Sequence, residues 1–423
     1  MTAPRAVERE GAPQVPRRGS ARVQAAVRAG RLAACASRRT GLGAGGVIGG
    51  HVLLALAPQA ARELAGGRDT VLVSGTNGKT TTTAYLTAAL RTLGPVDTNA
   101  DGANTQPGLV QALAAGNAGT LVLETDEGWL PWAMRETEPV SAVLLNLSRD
   151  QLHRHHEVAH VAGTWRDALI GASHVVANAD DPAVVMAALA ATDQTWVGLG
   201  AGWTGDTRVC PRCGGECLRE AGSWSCRRCD LCRPRPQWWI EDDELVSATD
   251  RVTLGLALPG AVNRRNAAMA VTAAALLGVA PQPAIEAIRD IATVAGRYDV
   301  FEGEHHRARL ILAKNPASWI EALALVSESD TPVVLAFNSD GVDGLDPSWL
   351  YDVAFADLAG RPVVVTGRRG TDMHVRLEMD GLTDVRLAPD VRAAIAMVPA
   401  GDVHVIANYT AFQDARKVLG HDQ

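Results

Sequence analysis

The sequence predicts an α/β fold with a central parallel sheet, and three observations support this class. From about residue 70 to 200, apolar runs such as TVLVSG, GTLVLET, VSAVLLNL, ASHVVANADD and QTWVGLG alternate with helical stretches, the pattern of a parallel sheet covered on both faces. A second alternation follows residue 310, with RLILA, TPVVLAF, RPVVVTG and DVHVIAN as strands. Between the two, a cysteine-rich stretch and the segment EDDELVSATDRVTLGLALPG indicate an insertion followed by antiparallel strands.

The length, composition and charge of the chain limit the class of protein to which it can belong. A chain of 423 residues has room for about two to three domains. It is 47% hydrophobic and 21% charged, as in ordinary globular proteins. No apolar run approaches the roughly 18 to 20 residues of a membrane span, and the N-terminus lacks an apolar signal core, so we expect neither a transmembrane helix nor secretion. The net charge of −7 argues against a nucleic-acid binder.

The N-terminal region reads as a loose tail followed by an amphipathic helix. Residues 1–20 are rich in Arg and Pro, and residues 20–38 place apolar side chains three and four positions apart. The arginine-rich face is compatible with an anionic membrane surface, but packing of this helix on the main domain is the favoured interpretation. We expect GLGAGGVIGG to form a flexible approach to the first strand, and GRYDVFEGE, residues 296–304, to form a joint between domains.

The segment GTNGKT, residues 75–80, lies where a phosphate-binding loop must lie, between a buried strand and the start of a helix. Backbone N–H groups at a helix N-terminus attract phosphate oxygens, and Gly75 and Gly78 permit a tight turn. Lys79 is expected to reach the β and γ phosphates, and the Thr80 hydroxyl to help hold Mg²⁺. The chain has only three lysines, Lys79, Lys314 and Lys417, which strengthens this prediction of an ATP site.

From about residue 40 to 415 the chain resembles the MurT family, the Mur-ligase-like subunits of lipid II isoglutaminyl synthase. The resemblance is carried by VSGTNGKTTTT, GANTQPGLVQAL, LETDEGWLP, NLSRDQLHR, NADDP, LPGAVNRRNAA and GRYD, and after residue 310 by KNPASW, SDGVDGLDPSW, GRRGTDMHVRL and NYTAF. It implies a Mur-ligase central domain with a phosphate loop, a parallel sheet and a zinc-ribbon insertion, followed by a smaller α/β C-terminal domain.

The resemblance assigns roles around the ATP site. The loop residues Thr76, Asn77 and Thr81 are implied to bind the nucleotide together with the residues named above. Glu124, at the end of a strand, is implied to bind Mg²⁺, with a surface or capping role as the alternative. Asn263 and Asn266 match asparagines that touch adenine, with helix capping as the alternative.

Further residues are implied at the edges of this site. Arg297 is expected at the domain joint, near the γ-phosphate or the substrate carboxylate, and Lys314 is expected to contact the nucleotide or the intermediate. Asn146, Asp150 and His153 follow the next strand. His153 replaces an aspartate of the family pattern, so a hydrogen-bonding role is favoured over metal binding.

The central region contains no lysine between residues 80 and 313. Many Mur ligases bind a second Mg²⁺ through a carbamylated lysine in the central domain, and this chain cannot do so. MurT proteins also lack that lysine, so its absence here is consistent with the resemblance.

Six of the seven cysteines lie between residues 210 and 232. Cys210, Cys213, Cys226 and Cys229 form two C-x2-C pairs separated by twelve residues, a spacing typical of a four-thiolate Zn²⁺ site. Cys217 and Cys232 leave open which four bind, and an iron–sulfur cluster that includes Cys232 is the runner-up. Without an open coordination position, such a zinc would be structural.

The chain shows no glutaminase site of its own, because Cys35 lacks a nucleophile context and the other cysteines fit metal binding. For the MurT family the implied reaction is ATP-dependent amidation of the α-carboxylate of D-Glu in the lipid II stem peptide. Ammonia would come from a partner, the glutamine amidotransferase subunit GatD. An aspartate of the C-terminal domain is implied to complete the partner's Cys–His pair; we assign Asp346, with Asp343 and Asp352 as fallbacks and an Asp/Gly turn as the alternative. Arg369, Asp372 and Arg376 indicate a charged helix face, structural or at the partner interface.

These inferences divide the chain into a tail and helix (1–45), an ATP-binding central domain (46–298, with the ribbon at about 205–237) and a C-terminal domain (299–423). The expected location is the cytoplasm, at the inner membrane surface where lipid II resides. Two other functions remain open: a Mur-type ligase or MurT-like paralogue that acts on a different glutamyl substrate, and a zinc-ribbon scaffold with a vestigial nucleotide site.

Overall fold

The structure is a computed structural model, and it describes residues 19–39, 47–99, 103–149, 157–200, 202, 204–294, 297–339 and 346–420. The helices in this part of the chain are α1 Ala21–Arg39, α2 Ile48–Leu56, α3 Ala60–Ala65, α4 Lys79–Leu90, α5 Gln106–Ala115, α6 Leu130–Thr137, α7 Val158–Leu169, α8 Pro182–Ala188, α9 Ala261–Leu276, α10 Pro281–Ile288, α11 Pro316–Val326, α12 Gly370–Met379, α13 Val391–Ala396 and α14 Tyr409–Gly420.

The strands form two main sheets and one hairpin. They are β1 Asp69–Ser74, β2 Val96–Thr98, β3 Thr120–Thr125, β4 Ser141–Leu144, β5 Val175–Asn178, β6 Gln194–Gly198, β7 Cys217–Glu220, β8 Ser223–Cys226, β9 Trp238–Glu241, β10 Glu244–Ser247, β11 Arg251–Thr253, β12 Tyr298–Glu302, β13 His306–Leu312, β14 Val333–Ala336, β15 Val363–Thr366, β16 Val385–Leu387 and β17 Gly401–Ala407.

The first sheet has nine strands in the order β11-β10-β9-β6-β5-β4-β1-β3-β2. Strands β1 to β6 are parallel to their neighbours, whereas β9, β10 and β11 pair antiparallel to one another. Alternate side chains of β1 enter two hydrophobic clusters on opposite faces: Leu72 in one, and Val71 and Val73 in the other. Both faces are therefore buried under helices, as the near-continuous apolar strands predict.

The second sheet has six strands in the order β12-β13-β17-β14-β15-β16. All its pairs are parallel except β12 with β13. Trp319 of α11 and Phe337 pack edge to face in its core, with ring centroids 6.4 Å apart. The α/β class with mainly parallel sheets is thus confirmed.

One local expectation was wrong. Residues 48–50 belong to helix α2 and not to a flexible approach, because Gly49 and Gly50 are buried where the helix touches its neighbours. A Cβ on Gly30 of α1 would lie 2.6 Å from the Gly49 carbonyl oxygen, so these glycines permit close helix packing. The expected joint at 296–304 stays a prediction; its described part contains β12, which pairs with β13. Residues 1–18 and 40–46, including most of the expected tail, lie outside the described residues.

Helix α1 packs on the body of the protein, as favoured from the sequence. Val23, Ala26 and Ala34 form its buried stripe, and Arg31 Nη2 donates to the Ala114 carbonyl at 2.9 Å. The domain boundaries given above stay a prediction.

Candidate functional site: a nucleotide cleft and a four-cysteine cluster

The phosphate loop connects β1 to α4. Gly78 has φ +86°, and a Cβ there would collide with Asn266 Oδ1, so the loop depends on glycine at this position. Helix α4 begins at Lys79, and its N-cap residue Gly78 supplies no side-chain hydrogen bond to the first-turn N–H groups. Those donors, together with the positive end of the helix, form a cradle of the kind that binds phosphate.

Lys79 is buried in this loop and its ammonium group makes three contacts. Nζ donates to the Gly75 carbonyl, to the Thr76 carbonyl at 3.2 Å, and to Glu127 Oε2 at 2.9 Å. Burial lowers the pKa of Lys79, but the negative charges of Glu127 and its acidic neighbours outweigh burial and raise it. Lys79 is therefore a fixed positive charge at the loop.

Glu127 is a site residue that the sequence analysis missed. Burial would raise its pKa, but the charge of Lys79 and then that of Lys314 lower the pKa to about 2. Its backbone carbonyl accepts a hydrogen bond from Trp165 Nε1 at 2.9 Å, which holds the turn after β3 in place. The available signal was chemical: a buried lysine needs a buried carboxylate, and LETDEGW offers three nearby.

Glu124 is buried at the carboxyl end of β3, as expected. Its Oε1 accepts a hydrogen bond from Asn104 Nδ2 at 2.9 Å, so the surface alternative is wrong. Glu124, Glu127 and the Thr80 hydroxyl offer oxygen atoms of the kind that Mg²⁺ prefers. Which of these oxygens bind the ion stays a prediction.

The loop after β4 supports the phosphate loop from the side. Asn146 Oδ1 accepts from the Asn77 backbone N–H at 3.0 Å, and its Nδ2 donates to the Asn77 carbonyl at 2.9 Å. Thr76 Oγ1 accepts from the Ser148 N–H at 3.0 Å. Asp150 and His153 lie outside the described residues, so their roles stay predictions.

Two residues that follow the first sheet, Arg297 and Asn315, contact the phosphate loop. Asn77 and Asn315 exchange side-chain amide hydrogen bonds, both at 3.2 Å, and Arg297 lies 3.4 Å from Thr80 Oγ1. Arg297 thus lies beside the expected metal-binding threonine, while its place at a domain joint and its contact with a γ-phosphate stay predictions. Lys314 precedes Asn315 and acts on Glu127 through its charge.

A cleft of about 220 Å³ opens between the domains. Its lining includes the phosphate loop, α9 and α11, and among the expected site residues it contains Asn77, Gly78, Thr80, Thr81, Asn263, Asn266 and Arg297. The N-cap of α9 is Gly260, so neither asparagine caps the helix. Asn263 Nδ2 donates to the Pro259 carbonyl at 2.6 Å. Adenine contact by both asparagines stays a prediction.

Four cysteines converge at the base of the β7–β8 hairpin. The sulfur atoms of Cys210, Cys213, Cys226 and Cys229 all lie within 4.8 Å of one another. The Cys210–Cys229 and Cys213–Cys226 separations are 3.7 Å and 3.5 Å. Tetrahedral Zn²⁺ with bonds of about 2.3 Å requires sulfurs about 3.8 Å apart, so the cluster fits zinc.

The remaining two clustered cysteines differ from these four. Cys217 is buried, and burial raises the pKa of its thiol to about 12, whereas Cys232 is exposed. The geometry thus favours the expected set of four ligands over a cluster that includes Cys232.

The expected partner-facing segment is only partly described. Asp346 is exposed, and its Oδ1 accepts from the Ser348 N–H at 2.9 Å, which lowers the pKa of Asp346. Asp352 pairs with Arg149 Nη2 at 3.1 Å. Asp343 lies outside the described residues. Asp346 does not line the nucleotide cleft, so any role it has is at a second location.

The charged helix α12 is partly structural. Arg376 is buried and donates to the Leu350 and Val353 carbonyls at 3.1 Å and 2.7 Å, which anchors the 3₁₀ turn 348–352. Arg369 and Asp372 pair with each other near the surface.

Sequence and structure comparisons agree with this geometry. Residues 73–204 match the Mur ligase middle domain, and residues 312–412 match the domain described as MurT ligase C-terminal. The chain is 27% identical over 374 residues to the subunit MurT of lipid II isoglutaminyl synthase (glutamine-hydrolyzing) from Staphylococcus aureus, covering 81% of this chain and 85% of that protein. It is also 27% identical over 420 residues to the MurT subunit from Streptococcus pneumoniae, covering 90% and 94%.

A solved structure shows the same fold. The pseudomurein peptide ligase type C from Methanothermus fervidus superposes with a TM-score of 0.65 at 19% identity, covering 84% of this chain and 79% of that one. Among the described helices, none is long and apolar enough to cross a membrane. The chain therefore contains a Mur ligase middle domain and a MurT ligase C-terminal domain, and it is homologous to the MurT subunit of lipid II isoglutaminyl synthase.

Proposed function

We propose that this protein is the synthase subunit of a lipid II isoglutaminyl synthase. It would amidate the α-carboxylate of D-Glu in the lipid II stem peptide, giving D-isoglutamine, with ammonia as the nitrogen donor. One observation carries the proposal: a phosphate loop of Mur-ligase type faces a C-terminal domain of MurT type across one cleft. The proposed substrate is taken from the names of the MurT homologues, which are subunits of lipid II isoglutaminyl synthase.

The proposed chemistry is carboxylate activation. A carboxylate oxygen attacks the γ-phosphorus of ATP, ADP leaves, and an acyl phosphate forms; ammonia then attacks the carbonyl carbon and releases phosphate. Mg²⁺, held by Thr80 with Glu124 or Glu127, would neutralise charge on the phosphates. Because such reactions are accelerated mainly by positioning and charge stabilisation, the chain's contribution comes from fixed donors.

The fixed cations have distinct positions. Lys79 lies under the loop where the β and γ phosphates would lie, and its raised pKa keeps it charged. Arg297 lies beside Thr80, on the side where the second domain would present the transferred phosphoryl group. Lys314 adds positive charge behind Glu127.

Ammonia would come from a separate GatD-like glutaminase subunit. Asp346 would orient the imidazole of the partner's Cys–His pair. Its exposure and lowered pKa suit an ionised carboxylate at a protein interface. Asp352 is a weaker candidate because Arg149 already neutralises it.

The four-cysteine cluster would hold a structural Zn²⁺. All four thiolates are supplied by the protein, which leaves no open position for catalysis. The ribbon has few buried apolar side chains of its own, so the metal would stabilise its fold.

The enzyme would act at the cytoplasmic face of the membrane, since lipid II is membrane-anchored. Exposed Arg28 and Arg39 on α1, in a segment without acidic residues from 19 to 56, support an approach to anionic lipid.

Purified chain with lipid II, ATP, Mg²⁺ and ammonium tests the proposal. Amidated lipid II should form without any glutaminase, and glutamine should replace ammonium only when a GatD-like subunit is added. A strict requirement for an amino acid as the attacking amine would instead identify a different Mur-type ligase. Failure to bind ATP would favour the scaffold alternative.

A further inference from the structure

The order of strands in the first sheet sets the direction of a bound nucleotide. The phosphate loop follows β1, and on one side of it Glu124 lies at the carboxyl end of β3 and Glu127 just after that strand. On the other side the cleft continues past β4 to the ends of β5 and β6, where Asp180, Leu199 and Gly200 line it. With its phosphates on the loop and its metal at β3, a nucleotide must extend its base toward β5 and β6.

The cysteine-rich ribbon is attached at this far end. Trp224 of β8 is buried, and its Nε1 donates to the Ala179 carbonyl at 2.9 Å. Arg233, near the end of the ribbon, donates through Nε to Asp180 Oδ1 at 2.5 Å. The other carboxylate oxygen of Asp180 accepts from the Leu199 and Gly200 N–H groups at 2.6 Å and 3.0 Å. The ribbon therefore supports the loop that follows β6.

Two residues of the ribbon, Thr207 and Arg219, line the cleft themselves. Arg219 lies on β7, two residues after Cys217 and opposite Trp224 in the hairpin register. Its Nη2 donates to Thr207 Oγ1 at 2.7 Å and to the Asp180 carbonyl at 3.2 Å. Arg219 is solvent-exposed and lines the cleft, and a guanidinium group has five N–H donors and a planar face with which it can contact a ligand.

We infer that the ribbon closes the base end of the nucleotide cleft and that Arg219 contacts the purine base. The four-cysteine cluster would thus affect nucleotide affinity indirectly, because it fixes the hairpin that carries Arg219. This inference extends the ATP site proposed above.

Calorimetric titration with two ligands tests the assignment. Mg-ADP has a base, whereas Mg-tripolyphosphate has only the phosphates. Arg219→Ala should weaken ADP binding about tenfold, the loss expected for one charged hydrogen bond, and leave tripolyphosphate binding unchanged. Lys79→Ala should weaken both ligands. The matched control is Arg227→Ala, which removes an exposed ribbon arginine paired with Glu216 and should change neither.

Metal analysis of the same proteins separates local from global effects. Arg219→Ala should retain the wild-type zinc content, while Cys229→Ser should lose zinc and show the same selective loss of ADP affinity. Unchanged ADP affinity in Arg219→Ala, or an equal loss for both ligands, would overturn the inference. If the wild-type chain bound neither ligand, the nucleotide site itself would be wrong, and the inference would fail with it.

Discussion

Two helices begin at the nucleotide cleft, one from each domain, and their N-termini are built differently. At α4 the N-cap is Gly78, and no side chain bonds the first-turn N–H groups. At α11 the N-cap is Asn315, whose side chain accepts from the Ser318 N–H at 3.0 Å, while Ser318 Oγ accepts from the Asn315 N–H at 3.0 Å. At α4 the first-turn N–H groups stay open to a ligand, whereas at α11 the cap already bonds the Ser318 N–H.

This difference indicates where phosphate binds. Both ends carry the positive pole of a helix dipole, but only α4 combines open donors with a buried lysine. Helix α11 instead contributes through its cap: Asn315 also bonds Asn77 of the loop. One terminus binds the ligand, and the other positions the loop that binds it.

Removing the lysine at α4 should have the largest effect. Lys79→Ala should reduce ATP-dependent amidation by at least about a thousandfold, since charge stabilisation provides much of phosphoryl-transfer catalysis. Steady-state amidation with ammonium measures the effect. Lys417→Ala, an exposed lysine on α14, serves as the control and should retain wild-type activity. Comparable activity in the two variants would show that the start of α4 does not bind the phosphates.

Breaking the buried ion pair at α4 should be the next largest effect. Glu127→Gln should lower the free energy of unfolding at neutral pH by about 3 kcal/mol, because Lys79 is left without its buried counter-charge. Denaturant unfolding of both proteins measures this difference.

The same pair predicts a pH dependence. The pKa of Glu127 is lowered from 4.5 to about 2, so its stabilising effect is complete above pH 4.5 and is lost as the pH falls toward 2. The stability difference between wild type and Glu127→Gln should shrink over that window. A difference independent of pH there would show that the ion pair does not form.

Glycine substitutions separate backbone strain from ligand binding. Gly78 and Gly67 both have positive φ, +86° and +75°, but a Cβ at Gly67 meets nothing within 4 Å. Each Gly→Ala change should cost about 1–2 kcal/mol of stability for the left-handed conformation, and Gly78→Ala should cost more because its Cβ would collide with Asn266 Oδ1. Only Gly78→Ala should also lose ADP affinity. Equal ADP affinity in both variants would contradict the proposed cradle.

The smallest effect is expected at the capped helix. Asn315→Ala should lower stability by about 1 kcal/mol through loss of the cap, with a modest loss of ADP affinity through Asn77. Asn315→Asp retains the cap acceptor and should recover most of the stability in thermal unfolding. If Asn315→Ala weakened ADP binding as much as Lys79→Ala, the distinction between the two helix ends would be lost.

The sequence revealed most of the fold because its strands are buried on both faces. Mainly apolar runs such as TLVLE and PVVVT can be recognised from the sequence alone, as can the paired C-x2-C motifs. The short edge strands β2 and β16 were missed, since three residues each carry little periodic signal. Helix α2 was missed because its glycines suggest flexibility, whereas here they allow contact with α1 and α5.

The sequence predicted site residues where the chemistry restricts the residue type. It did not predict those whose position depends on packing alone. GTNGKT indicated the phosphate loop, and the structure places Arg297, Asn266 and Asn77 in the same cleft as that loop. Which carboxylate pairs with Lys79 depends on the direction of the turn after β3. Trp165, on the distant helix α7, holds that turn through a hydrogen bond. No local pattern encodes such a contact.

The central claim is that ATP converts a substrate carboxylate into an acyl phosphate that ammonia captures. Lipid II labelled with ¹⁸O in the α-carboxylate of D-Glu, incubated with the purified chain, ATP, Mg²⁺ and ammonium, tests this directly by mass spectrometry of the released phosphate. The account predicts one labelled oxygen in each phosphate for every amide formed. Amide formation with unlabelled phosphate would contradict it.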